Sequence, residues 1–326
     1  MPWFDLPEDQ LRTYRTATPE PEGLDQWWAA RIEEARSTAR ETTLRRHQPE
    51  TYGDLGVWDV EFSGGRGDRI RGWYLRPPGA GDEPLPVVVT YIGYGGGRSV
   101  PSDHLGLAAL GFANLVMDTR GQGGRWSTGA TPDGQGSGTF AERSEVMTRG
   151  ITRPEDYYFT RLYVDAVRAV EVAAELPGVD PDRLAVTGGS QGGALSLAAA
   201  ALAPSRVRAC AADVPFLCDI RRAITLTAAY PYAEVADFLA NHLDLVDTAL
   251  ETLRYVDNAL LASRITAETS VVVGLMDEIC PPSTVFAAYN AIDAPKRIEV
   301  NPFGVHAQSR QHDERKLRFL RELLMP

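Results

Sequence analysis

A chain of 326 residues with 44% hydrophobic and 24% charged side chains has the size and make-up of one large α/β domain or two small ones. Its net charge of −11 argues against nucleic acid or an anionic membrane as a main partner, and no apolar run approaches the ~18 residues of a membrane span. Three cysteines (Cys210, Cys218 and Cys280) form no disulfide or zinc pattern; they fit a reducing compartment.

The N-terminus carries Asp5, Glu8 and Asp9 and lacks a basic segment followed by an apolar one. No signal peptide is therefore expected, and a cytoplasmic location is. Residues 1–50 read as a helical extension, with Trp27, Trp28, Ile32 and Ala35 at helical spacing. From Val57 to Leu75, apolar–polar alternation around Gly64–Asp68 predicts an antiparallel hairpin. Apolar runs at Pro86–Ile92, Ala113–Asp118, Arg183–Thr187, Ala209–Val214, Ser270–Leu275 and Arg297–Val300 read as buried parallel strands. Helical stretches lie between most of them, including about Glu155 to Leu176, and a last helix runs from Asp313 to Leu324. The alternation predicts an α/β fold in one domain, a mostly parallel sheet flanked by helices. Two stretches exceed the minimal pattern. Residues 121–154 are a Gly-, Ser- and Thr-rich excursion that holds Trp126, Phe140, Val146 and Met147, apolar side chains that need burial, so it is expected at subunit contacts, with a lid over the site as the competing use. Residues 216–264 are a helical insertion near the carboxyl ends of the strands.

Gly188-Gly189-Ser190-Gln191-Gly192 stands between a strand and an Ala/Leu-rich helix. This is the setting of a nucleophile elbow, with Ser190 presented at the sheet edge and a helix N-terminus aimed at the same spot. A serine nucleophile needs a base and an orienting carboxylate, in the chain order Ser, acid, His. His242, His306 and His312 follow Ser190. His242 lies in the helical insertion, and His312 reads as a solvated residue at the start of the last helix. His306 lies in the loop after the last strand, where the base belongs. The preceding strand runs into Asp277 and Glu278, and Asp277 is nearer the strand end. The base must be neutral to accept a proton, so activity is expected to rise with pH. The oxyanion needs two N–H donors. Gln191, next to the serine, supplies one; the Gly-rich loop after the Pro86 strand supplies the other through Tyr94. No Gly-Lys-Ser/Thr follows that loop, which speaks against a phosphate cradle. No cofactor and no metal is expected.

Several segments carry a more specific signal: Tyr91–Tyr94, Asp118–Gly123 with Arg120-Gly121-Gln122, Met147–Gly150, Gly188–Gly193, Asp213–Leu217, Tyr230–Glu234 and Gly274–Asn290. Over nearly its whole length the chain resembles the carbohydrate esterase family that contains acetyl xylan esterases and cephalosporin C deacetylases. The resemblance implies an α/β-hydrolase fold and a triad at Ser190, Asp277 and His306. It implies Tyr94 and Gln191 as oxyanion donors, and Tyr94, Pro231 and Ile279 around the substrate. It also implies deacetylation of short xylo-oligosaccharides and cephalosporin C by a homohexamer, a dimer of trimers. In one respect the chain departs from the family, which usually has Glu after the catalytic His, where Ala307 stands here. Another serine hydrolase of the same fold, such as a peptidase or general carboxylesterase, and an inactive hydrolase-like binding protein are the competing readings.

Overall fold

In the computed structural model the described residues are 3–81, 83–134, 145–307 and 309–325. Nine strands form one sheet: β1 (Thr43–Arg46), β2 (Gly56–Ser63), β3 (Arg69–Arg76), β4 (Leu85–Tyr91), β5 (Ala113–Met117), β6 (Val179–Gly189), β7 (Ala209–Asp213), β8 (Glu268–Gly274) and β9 (Lys296–Asn301). Their order is β1-β2-β3-β5-β4-β6-β7-β8-β9. From β5 to β9 every pairing is parallel, while β1, β2 and β3 add an antiparallel edge. The inner parallel strands are covered on both faces and so carry continuous apolar runs: Val87, Val88 and Val89 of β4 are all fully buried.

The helices, in chain order, are α1 (Glu8–Leu11), α2 (Leu24–Ser37), α3 (Pro49–Tyr52), α4 (Leu105–Ala109), α5 (Tyr158–Glu175), α6 (Gln191–Leu202), α7 (Ile220–Leu226), α8 (Tyr232–Asn241), α9 (Val246–Arg254), α10 (Asn258–Leu261), α11 (Pro282–Ala291) and α12 (Arg310–Leu324). Helix α6 is buried from Gln191 to Ala201, so its residues are small or apolar all round. Helix α5 packs Leu162, Ala166, Val170 and Ala173 into the core. The periodic tryptophans of α2 do the same: Trp28 is buried, stacks on Tyr163 at 5.9 Å and donates its indole N–H to Tyr255 O at 3.0 Å. The N-terminal helix thereby ties α5 to the end of α9.

Three expectations need correction. The first 50 residues are not wholly helical, because β1 forms the outer edge of the sheet. Its four residues are mostly exposed and two are arginines, so no apolar period marks it. His312 is not a solvated helix-start residue; it is buried between carboxylates from two strands. Arg297–Val300 is a parallel strand but not a buried one, because β9 is the sheet edge and none of its residues is buried. In the 121–154 excursion Trp126 is 62% exposed within the chain, whereas Val146 and Met147 are buried in it. Phe140 lies outside the described residues.

Candidate active site

Ser190 sits at the turn from β6 into α6 with φ 58° and ψ −117°, a region non-glycine residues rarely occupy. The turn is possible only because its flanks are glycine. A Cβ on Gly188 would come within 2.5 Å of the Gly192 carbonyl carbon, and one on Gly192 within 2.3 Å of Tyr91 O. The strained residue is held from both sides by backbone. Ser190 N–H donates to Asp213 O at 2.9 Å, and Phe216 N–H donates to Ser190 O at 3.0 Å.

The structure brings together the three side chains singled out by chain order. Asp277 follows β8, and His306 lies in the loop between β9 and α12. Ser190 Oγ donates to His306 Nε2 at 2.8 Å, and His306 Nδ1–H donates to Asp277 Oδ2 at 2.8 Å. The other carboxylate oxygen, Asp277 Oδ1, accepts the N–H groups of Ile279 and Cys280, both at 2.9 Å. Asp277 is fully buried and acceptor-only as a carboxylate, so it selects the tautomer with a bare Nε2 facing the serine. That arrangement can take a proton from Oγ as it attacks a carbonyl. The imidazole's hydrogen-bond partners are Asp277 and Ser190, and the Glu278 carbonyl accepts from Thr227 Oγ1.

These groups open into a cavity of about 520 Å³ lined by Tyr94, Trp126, Tyr230, Val214 and Ile279 with Ser190 and His306. Ile279 thus lines the site. Pro231 is buried at the start of α8, and its neighbour Tyr230 is the residue facing the cavity. Gln191 opens α6, where the N–H has no partner inside the helix. The Tyr94 hydroxyl donates to Glu234 at 2.8 Å and accepts from Val146 N–H at 2.8 Å. Burial, then the Glu234 charge, push this phenol well above its ordinary range, so it stays protonated and structural.

Gln122 performs a task that its position alone does not reveal. Its Oε1 accepts Gly95 N–H at 2.6 Å, and its Nε2 donates to Gln191 Oε1 at 2.8 Å. One buried amide therefore joins the Tyr94 loop to the residue after the serine. Arg120, two residues earlier, anchors the segment that carries Gln122. It is fully buried, forks onto Asp165 at 2.6 and 2.7 Å, and reaches Asp68 at 2.8 Å. These carboxylates raise its pKa well above the ordinary guanidinium value despite burial, which alone would lower it.

Among the described residues, Asp277, Cys280 and His306 offer metal-type ligand atoms within 4.8 Å of one another. Two of them already serve the serine, and burial followed by the Asp277 charge pushes the Cys280 thiol far up, away from the thiolate a metal would need. No metal is assigned there.

A serine on a strand–helix elbow, with its imidazole and carboxylate on the following strand ends, makes the chain an α/β-hydrolase. Residues 1–323 match the family described as Acetyl xylan esterase (AXE1), and the chain belongs to that family. It is 30% identical over 292 residues, 89% of its length, to the acetyl esterase Axe7A of Xylanibacter ruminicola, and spans 64% of that relative. Among solved structures, the acetyl xylan esterase from Paenibacillus sp. R4 superposes with a TM-score of 0.89 at 34% identity, covering 98% of this chain and 100% of that one. The acetyl xylan esterase 1 from Thermoanaerobacterium sp. JW/SL YS485 gives 0.88 at 34% identity, covering 98% and 99%.

Proposed function

We propose that this protein is a serine esterase that removes acetyl groups from acetylated xylo-oligosaccharides and related small acetyl esters, cephalosporin C among them. The observation that carries the reading is the unbroken hydrogen-bond chain Asp277–His306–Ser190 opening into a cavity. Ser190 Oγ attacks the acetyl carbonyl while its proton passes to His306 Nε2. The tetrahedral oxyanion is held by the N–H groups of Tyr94 and Gln191. His306 then protonates the leaving sugar oxygen, giving an acetyl-Ser190 ester. Water attacks that ester, again with His306 as base, and acetate leaves. Family membership and the acetyl esterase and acetyl xylan esterase relatives favour an acetyl group on a sugar as the substrate.

Tyr94 is taken to contact the substrate and Pro231 and Ile279 to bound its acyl end; Tyr94 and Ile279 line the cavity, and Pro231 follows the lining residue Tyr230. A pocket shaped for two carbons is overpacked by longer chains, at about 1–3 kcal/mol or roughly ten- to a hundredfold in rate. The test is a kcat/KM series on p-nitrophenyl acetate, propionate and butyrate, beside acetate release from acetylated xylo-oligosaccharides and cephalosporin C. Butyrate turned over as fast as acetate would point instead to a general carboxylesterase. No hydrolysis of any ester would favour a binding protein on a hydrolase fold.

Assembly as a homohexamer, a dimer of trimers, is part of the same proposal. Apolar side chains left exposed around the site support it: Trp126, Tyr230, Phe303 and Val305 are 62%, 51%, 76% and 46% exposed. Light scattering is expected to give six times the chain mass; a species near 35.6 kDa at all concentrations would remove the idea. No helix among the described residues is long and apolar enough to cross a membrane. The three free, buried cysteines suit a cytoplasmic setting.

A further inference from the structure

His312 is a buried titratable group for which the proposed chemistry has no use. It stands in the first turn of α12, six residues beyond His306, and is 4% exposed. Both ring nitrogens face carboxylates: Nε2 lies 2.8 Å from Asp213 Oδ1 at the end of β7, and Nδ1 lies 3.1 Å from Glu299 Oε2 on β9. A neutral imidazole has one N–H and satisfies only one of these acceptors, leaving a lone pair against the other. The imidazolium satisfies both.

The surroundings are charged on every side. On α12 itself, Lys316 donates to Asp213 Oδ2 at 2.6 Å and lies 3.6 Å from Asp313, and Arg315 pairs with the other oxygen of Glu299. Arg297 of β9 and Arg318 of α12 line the same cleft, and Asp103 and His104 face Asp313 and Lys316 across the next one. Burial favours the neutral ring, but the bonds to Asp213 and Glu299 outweigh it, and the imidazole is held above its ordinary range.

The two carboxylates sit where the two halves of the site are anchored. The Asp213 carbonyl accepts the Ser190 N–H, and the next residue, Val214, is a β-branched residue at φ 38° that lines the cavity. Such a conformation persists only when its neighbours over-determine it. Glu299 is two residues from the end of β9, at the base of the loop carrying His306. That loop has no polar side chain directly after His306, where Ala307 stands.

We propose that His312, as an imidazolium, is a positioning residue that ties the Ser190 strand-end to the base of the His306 loop and so keeps the serine and imidazole in register. This rests on the reading of Ser190 and His306 as nucleophile and base. Raising the pH removes one proton from His312 and turns one of its two bonds into a repulsion. The His306 loop then loses its anchor, and turnover falls on the alkaline side. The stability contributed by this tie follows the same sign. It is fully present below the unfolded-state imidazole value of about 6.5 and is lost as pH rises through the raised folded value.

The experiment pairs pH profiles of kcat and KM on p-nitrophenyl acetate with nitrogen-15 spectra of the histidine rings, for the parent and for His312→Gln, which also assigns the His312 signal. In the parent, His312 is expected to carry two ring protons at pH 7 and to titrate at the midpoint of a reversible alkaline fall in kcat. In His312→Gln, kcat is expected to be about ten- to a hundredfold lower with little change in KM, and the alkaline fall to be gone. A neutral His312 in the parent at pH 7 overturns the proposal. So does an alkaline limb that survives in the variant, or one that does not coincide with the ring titration. The ring titration and its coincidence with the kcat limb use the parent alone and decide the matter even where the variant does not fold. A parent with no esterase activity would instead remove the proposed function, and the ring titration would then judge the tie by itself.

Discussion

Replacing Ser190 with alanine is expected to lower ester turnover by about 10⁶-fold, the loss typical of deleting a triad serine. The hydroxyl meets the side chains of His306, at 2.8 Å from Nε2, and Cys280, and carries no backbone contact of the elbow. The elbow is held through Ser190 N–H and C=O, which alanine keeps. The variant should therefore unfold in urea at a midpoint close to the parent's. Turnover of p-nitrophenyl acetate within tenfold of the parent would exclude Ser190 as the nucleophile.

The second large effect is on stability. Arg120→Met is expected to cost about 3–5 kcal/mol, because it leaves the fully buried Asp165 without its cation and removes the partner of the partly exposed Asp68. Both are bonded to Arg120, and Asp165 is as buried as the arginine. Burial already pushes the Asp165 carboxyl up with Arg120 present. Without the arginine it rises further, so the folded variant binds a proton more tightly than the unfolded chain. The deficit should therefore shrink as pH falls, and the double variant Arg120→Met/Asp165→Asn should recover part of it at pH 7. Urea midpoints at pH 5 and pH 8 measure this. A loss under 1 kcal/mol at pH 8 would contradict the role given to Arg120. The nearby Asp133 gives a second acid signature. Burial pushes its carboxyl up, but Arg161, Arg149 and Arg120 outweigh that and hold it at about 2. Its contribution is present above the unfolded value of about 3.9 and lost as pH falls toward 2.

What could be read in the chain was what depends on near neighbours. Gly188 marks the elbow because the clash it avoids, with Gly192, lies within one turn. Asp277 and His306 are legible because each follows a strand, the apolar Val271–Val273 run of β8 and the alternating Ile298 and Val300 of β9, and parallel strands deliver their carboxyl ends to one edge. The missed features depend on distant partners or on solvent. Gln122 meets Gly95 and Gln191, 27 and 69 residues away. His312 meets Asp213 across 99 residues, and nothing in the local pattern distinguishes it from a surface histidine. The first strand is a charged edge whose pairing partner, not its own residues, makes it a strand. The sequence says only that Trp126 needs cover, not where it lies. Its indole N–H donates to Tyr94 O at 2.8 Å while the ring stays exposed at the cavity mouth.

The central claim is that ester hydrolysis passes through Ser190. Its most direct test is intact and peptide mass spectrometry after treatment with a serine-directed phosphonate, with acetate release from acetylated xylo-oligosaccharide followed in parallel. The account predicts one adduct per chain, on the peptide bearing Ser190, with activity lost in proportion to labelling and no adduct on Ser190→Ala. An adduct on another serine that accompanies the loss of activity, or acetate release that persists after Ser190 is fully labelled, would contradict it.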